Sequence, residues 1–354
     1  MTNFQPNYEH VVNAARNIKP ERLPQCDFCI DPKLMEKVLD IKFADLKESK
    51  ELADRREYAR INAAALKDLG HDVVEFEACF SELINQAKSL KGLEPGPIQN
   101  RNDMNNFPWD ELPAQYFTKF DETISLMIEA LPEGMKAVGG VGTGIFESIQ
   151  DLTRYQELCF MMYDDPELYA ELYVKLGDAL VATWRQFMEK YGEYFCVLRF
   201  GDDLGFKTST LISEDDIKTH IIPQYARIIE VIHSYGKPFV YHSCGNIFSV
   251  MDDIINGAKI DAKHSNEDAI APFSVWVDRY SHKIGLIGGI DMSVLATQSP
   301  AYIKRYTREV IDYAADRGGF ACGSGNSLPD YIPPENYVAM MDAIHEYREM
   351  YQTS

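Results

Sequence analysis

Short apolar runs that end in small or polar residues recur along the chain, at 22–30, 72–80, 136–141, 195–201, 238–242, 259–264, 283–290 and 319–322. Between most of them the apolar spacing turns helical, at 51–69, 120–131, 165–190, 214–234, 301–316 and 334–351. Pro166 and Pro334 fall near helix starts, where a missing amide proton costs little. Strongly apolar strands alternating with helices predict a parallel sheet covered on both faces. Eight such units predict a single closed (β/α)₈ TIM barrel, with its chemistry at the C-terminal strand ends. Residues 1–21 are expected to form a helical extension. No linker, low-complexity run or repeat interrupts the chain, so one domain is expected over 1–354.

Composition narrows the function. The 354 residues are 45% hydrophobic and 25% charged, enough to bury a barrel-sized core. Lys and Arg total 35 against 55 Asp and Glu, and the formal charge of -20 repels phosphate backbones and anionic lipid. No nucleic-acid or membrane partner is expected. The first residues carry no basic segment leading into an apolar one, and no apolar stretch approaches about 18 residues, so the expected location is the cytoplasm. Seven cysteines, an odd number without regular spacing, suit metal or catalytic use better than a disulfide framework.

The candidate chemistry lies at proposed strand ends. In Lys237-Pro-Phe-Val-Tyr-His-Ser-Cys-Gly245, His242 and Cys244 are two apart and point the same way from an extended chain. Cys322 closes the last apolar run and is the third candidate ligand. One imidazole, two thiolates and an open fourth position describe a catalytic zinc site. Such an ion can hold a thiolate or polarise an oxygen or nitrogen leaving group, which suits alkyl transfer better than hydrolysis. Glu77, Asp202, Asp203, Glu267 and Asp291 also sit at strand ends, as helix caps, loop charges or acid/base groups. Of the titratable groups there, Asp203, Glu77 and His264 are the expected catalytic set, with Tyr241, Asp202, Cys29 and Asn326 lining the substrate pocket. Cys26-Asp-Phe-Cys29 lacks a thioredoxin-like context. Gly139-Gly-Val-Gly-Thr-Gly144 misses the spacing of a phosphate loop, and its glycines are expected to let backbone approach a ligand.

The chain resembles the uroporphyrinogen decarboxylase superfamily over nearly its full length, and within it the cobalamin-dependent methyltransferase branch. The resemblance rests on Pro20-Glu-Arg-Leu-Pro24, Gly140-Val-Gly-Thr-Gly-Ile-Phe146, Asp164-Asp-Pro-Glu167, Leu211-Ile-Ser-Glu-Asp215, Ile222-Pro-Gln-Tyr225, His242-Ser-Cys-Gly245, Gly288-Gly-Ile-Asp291 and Pro333-Pro-Glu-Asn336. Most of these mark the fold. The His-x-Cys-Gly followed by a distant Cys-Gly is the specific part, and it implies His242, Cys244 and Cys322 as zinc ligands. The resemblance further implies methyl transfer between a small O- or N-methyl compound, such as a methoxylated aromatic, and the cobalt of a corrinoid (cobalamin) carried by a partner protein. The reverse direction, from methylcorrinoid to a thiol of the coenzyme M type, stays open, as does a non-catalytic or decarboxylase member. Where the decarboxylase carries Arg-Gln-Ala-Gly-Arg to grip porphyrinogen carboxylates, this chain has Cys26-Asp-Phe-Cys-Ile-Asp31. It also lacks the Pro-rich segment that usually follows the last Cys-Gly in coenzyme-M-type enzymes.

Overall fold

A computed structural model describes residues 4–352 apart from 85, 87 and 90. Seven parallel strands, β1 (Val74–Cys79), β2 (Ala137–Gly142), β3 (Phe195–Gly201), β4 (Phe239–His242), β5 (Ala262–His264), β6 (Gly285–Ile290) and β7 (Phe320–Ser324), pair in sequence order. Helices return the chain between them, the longest being Pro166–Tyr191, whose N-terminus Asp165 caps through a bond from the Leu168 amide. The predicted helical spans are all recovered. The span at 214–234 divides into a short turn, a π-helical segment Ile217–Ile221 and the helix Ile222–Ser234, where Pro223 interrupts the amide ladder.

The fold is the expected TIM-type barrel, with one difference. The run at 22–30 is no regular strand; it meets β7 through isolated bridges, Gln25 with Cys322 and Ile30 with Leu328. Pro24 has no amide proton to give a ladder, and Cys29 at φ 53 breaks the extension. The segment still lies along β7 and meets β1 through side chains, Cys29 Sγ standing 3.4 Å from Glu75 Oε1. The Cys26 amide donates to Cys322 O at 3.0 Å and the Cys322 amide to Pro24 O at 3.0 Å. Phe28 reaches across the lumen to Arg199 of β3, with the guanidinium carbon 4.2 Å from its ring centre, and to His264 of β5 at 4.5 Å.

The lumen is layered. Its floor is apolar: Cys26, Val138, Val197, Val240, Ala262, Ile287 and Ala321 pack with Val11, Val12, Ala14 and Ala15 of helix Glu9–Ala15, which plugs the N-terminal end of the strands. The opposite parity of each strand, such as Phe239 and Tyr241 or Phe320 and Cys322, packs into the layer between sheet and helices. Polar groups collect only at the C-terminal ends, above Phe28 and Arg199.

Candidate functional site

The pairing of β3 with β4 sets Gly201 against His242, and the next pairing sets His242 against His264. Residues following β3 and β4 therefore leave the sheet side by side. The Cys244 amide donates to Asp203 Oδ1 at 2.8 Å, Cys244 Sγ lies 3.5 Å from His242 Nε2, and His242 Nε2 lies 3.9 Å from Asp203 Oδ1. Gly245 makes this crossing possible: its φ is 80, and a Cβ there would meet the Gly205 backbone at 2.1 Å.

The protons on the two histidines follow from their partners. Ser324 O can only accept, so His264 Nε2, 3.0 Å away, carries a proton. Burial, then the Arg199 charge, push His264 down to about 3, so it is neutral and its Nδ1 is an acceptor. His242 Nδ1, 2.7 Å from that acceptor, must then be the donor. His242 is also neutral, lowered by burial and then by its neighbours His264, Arg199 and Lys263. Its Nε2 lone pair is left facing Cys244 Sγ and Asp203 Oδ1. A carboxylate oxygen, an imidazole lone pair and a sulfur thus converge within 4.8 Å of one another. The imidazole presents the tautomer a metal ligand needs, fixed by a second ring behind it.

Other contacts complete the sulfur's surroundings. Asn326 Nδ2 donates to Cys244 Sγ at 3.2 Å and Ser265 Oγ donates at 3.5 Å. Glu267 Oε1 accepts from the Gly245 amide at 3.3 Å. Burial, followed by the Asp203 carboxylate, pushes the Cys244 thiol up to about 12 when no cation is present.

Across the mouth, β1 sends Glu75 and Glu77 toward Arg199, whose side chain is 4% exposed. Arg199 Nη2 donates to Glu77 Oε2 at 3.0 Å, and Nη1 lies 3.7 Å from Glu75 Oε1. Cys29 Sγ donates to Glu75 Oε1 at 3.4 Å. Burial drives Glu77 up to about 7 against the pull of Arg199.

Several expected site residues have other work. Cys322 is not brought to His242 and Cys244: it shares parity with Phe320 and is fully buried in the layer outside the sheet, while Ala321 takes the lumen. Both nitrogens of His264 are engaged, Nδ1 with His242 and Nε2 with Ser324 O, which leaves neither for the proton transfer expected of it. Asp202 is no pocket residue. Its carboxylate accepts from the Phe146 and Glu147 amides, each at 2.8 Å, and from Tyr225 Oη, capping helix Ile145–Thr153 from a neighbouring strand. Gly144 serves this cap, because a Cβ there would lie 2.5 Å from Asp202 Cβ; close packing, not ligand approach, explains this glycine. Tyr241 is buried outside the sheet, donating to Asp202 O at 3.0 Å. Asp291 caps helix Met292–Thr297.

One residue was missed. Glu147, in the first turn of helix Ile145–Thr153, has its carboxyl raised well above the usual range by burial and then by Asp203, Asp202 and Glu77, with Arg199 opposing. It titrates as a neighbour of the mouth carboxylates. Its sequence signal is an acid five residues beyond a glycine-rich strand end, in the first turn of the helix that follows.

Comparison with known proteins places the chain. The model of the family described as "Uroporphyrinogen decarboxylase (URO-D)" matches residues 91–347. Curated uroporphyrinogen decarboxylases from Syntrophotalea carbinolica and Streptomyces griseus are each 24% identical, over 185 and 188 residues and 52% of this chain. The match spans about half of those relatives, 50% and 48% of their lengths. A solved methyltransferase from Methanosarcina mazei superposes with a TM-score of 0.70 at 15% identity, over 97% of this chain and 99% of that one, a likeness of fold. A TIM-type parallel sheet, a family match over most of the chain and a full-length structural neighbour agree: the chain belongs to the uroporphyrinogen decarboxylase family.

Proposed function

We propose that the chain is a metal-dependent methyltransferase, in which His242, Cys244 and Asp203 hold one zinc ion at the barrel mouth. The observation that carries this reading is the convergence of three electron-pair donors on one point, with the imidazole proton fixed on the far side of its ring. Without a cation, the Cys244 thiol proton can serve only one of the two acceptors beside it, the His242 Nε2 lone pair at 3.5 Å or the Asp203 carboxylate, whereas a cation would engage all three groups at once. One nitrogen, one sulfur and one oxygen ligand suit zinc, and the two anionic ligands balance its charge. When bound, the ion would supply a Lewis acid for the oxygen or nitrogen of a methylated compound in its open position.

The chain's own residues do the rest. His264 and Ser324 hold the His242 ring, Asn326 and Ser265 donate to Cys244 Sγ, and the Asp203 carboxylate receives the Cys244 amide. Glu147, in the first turn of helix Ile145–Thr153 beside the mouth carboxylates, would give a proton to the departing oxygen or nitrogen. The acceptor would be the cobalt of a reduced corrinoid carried by a partner protein, which would supply the nucleophile for the methyl group. The structural neighbour named as a methyltransferase supports this direction over decarboxylation. So does the charge of the mouth: among the described residues, Glu75, Glu77 and Asp203 stand against one lumen cation, Arg199, which is already paired. A porphyrinogen carrying several carboxylates would meet repulsion there.

The test is to incubate zinc-loaded protein with reduced cobalamin, free or protein-bound, and a panel of O- and N-methyl compounds, following methylcobalamin by absorbance. Formation of methylcobalamin that depends on Cys244 is expected. Carbon dioxide release from uroporphyrinogen, with no methyl transfer, would overturn the reading.

A further inference from the structure

Strand β5 is three residues long, and its middle residue is a lysine turned away from the lumen. Ala262 packs in the lumen floor and His264 meets His242 and Phe28, so alternation sends Lys263 into the layer between sheet and helices. An ammonium group there is costly unless each of its protons is accepted. Lys263 is 3% exposed, and its Nζ donates to the carbonyls of Ser243 at 3.4 Å, His264 at 3.1 Å and Ser265. It also lies 4.1 Å from the ring centre of Trp276, in helix Phe273–Tyr280.

Those carbonyls belong to the two loops that carry the site. Ser243 separates His242 from Cys244. Ser265 is the residue whose hydroxyl donates to Cys244 Sγ, and it sits at φ 86, a conformation a serine adopts only when its surroundings impose it. Its own carbonyl is held by Lys263 while its side chain is aimed at the sulfur.

We propose that Lys263 is a positioning residue: a buried amino group that ties the loop after β4 to the loop after β5 and so fixes where Ser265 meets Cys244. The tie is a property of the metal-free chain; only its consequence for metal affinity rests on the ion site proposed above. A neutral apolar side chain of similar length leaves the Ser243 and Ser265 carbonyls without this donor, while His264 O keeps the Ser243 amide at 3.4 Å. An arginine offers five donors and can stack on Trp276.

Hydrogen exchange of the metal-free full chain tests this, with Lys263→Met and Lys263→Arg beside the wild type. In Lys263→Met, peptides covering 242–247 and 264–267 should exchange about 10-fold faster. Zinc affinity, measured separately by chelator competition, should fall at least about 10-fold. Lys263→Arg should return both to within about 3-fold of wild type, since its donors replace those lost. Unchanged exchange in Lys263→Met overturns the proposal. Should that variant not fold, Lys263→Gln takes its place: faster exchange than in Lys263→Arg supports the tie, and equal exchange refutes it. If the wild type binds no zinc while Lys263→Met still loosens both loops, the ion site fails and the tie stands.

Discussion

Replacing His264 with Phe separates the orienting role of that ring from its bulk. The substitution keeps an aromatic ring against Phe28, 4.5 Å away, and deletes two hydrogen bonds. Ser324 O loses its 3.0 Å donor and His242 Nδ1 its 2.7 Å acceptor, both in fully enclosed surroundings. Each orphaned buried group costs about 1–3 kcal/mol, and relief from burying the imidazole offsets part of it, so the stability loss should be about 2–4 kcal/mol. The effect on the site is distinct. With no acceptor behind it, the His242 ring can carry its proton on Nε2, which then competes with a metal for the same position. Loss of such an orienting partner weakens metal binding about 10- to 100-fold, or about 1.4–2.7 kcal/mol. Chemical denaturation and zinc competition against a chromophoric chelator, on one preparation, measure both. A variant that is destabilised yet binds zinc like the wild type would refute the tautomer argument, because only the fold would have noticed the change.

Cys244→Ala should remove the zinc while leaving the helical circular dichroism signal intact, because the mouth contributes little to the core. Cys322→Ala should retain one zinc per chain and lose about 1 kcal/mol or more of stability, as a buried sulfur is replaced by a smaller group; loss of metal would return Cys322 to the site. Glu147→Gln should keep its zinc and slow methyl transfer about 10²- to 10⁴-fold, read as kcat at saturating donor; an unchanged kcat removes Glu147 from the proton step. Asp27 gives a prediction in pH. Burial would raise it, but bonds from His71, at 2.9 Å, and the Ser324 amide, at 2.6 Å, outweigh this and hold it below the usual carboxylate range. A lowered carboxylate stabilises the fold above its unfolded pKa of about 3.9, and the gain is lost as pH falls through the folded value. The stability gap between wild type and Asp27→Asn should therefore be widest near neutral pH and shrink below about pH 4, and a gap independent of pH would contradict it.

The barrel was legible because its signal is redundant: alternating strand and helix patterns repeat along the whole chain, and slips of a residue or two do not alter the class. The pair His242 and Cys244 was legible for a local reason, as two residues on one face at a strand end need no knowledge of distant contacts. Asp203 was legible as a mouth residue, because it follows the neighbouring strand at a matching height, but the sequence pointed to proton handling rather than to a place among the ligands. Cys322 was misplaced because parity on a short strand hangs on one residue. Phe320 and Cys322 share a face, and shifting that assignment by one would turn the sulfur into the lumen. The bulk of Phe320 was the available clue, since an apolar ring fits the helix-facing layer and Ala321 fits the crowded floor above helix Glu9–Ala15. Glu147 lies in the first turn of helix Ile145–Thr153, where an acid reads as an ordinary partner of the helix dipole. The roles of Asp202 and Tyr241 depend on contacts with helices Ile145–Thr153 and Ile222–Ser234, which no spacing along the chain reveals.

The central claim is the ligand set, and zinc-edge X-ray absorption on the loaded protein counts its sulfur atoms most directly. One sulfur at about 2.3 Å, with nitrogen and oxygen ligands at about 2.0–2.2 Å, is the result expected for His242, Cys244 and Asp203. Two sulfurs, or none, would contradict it.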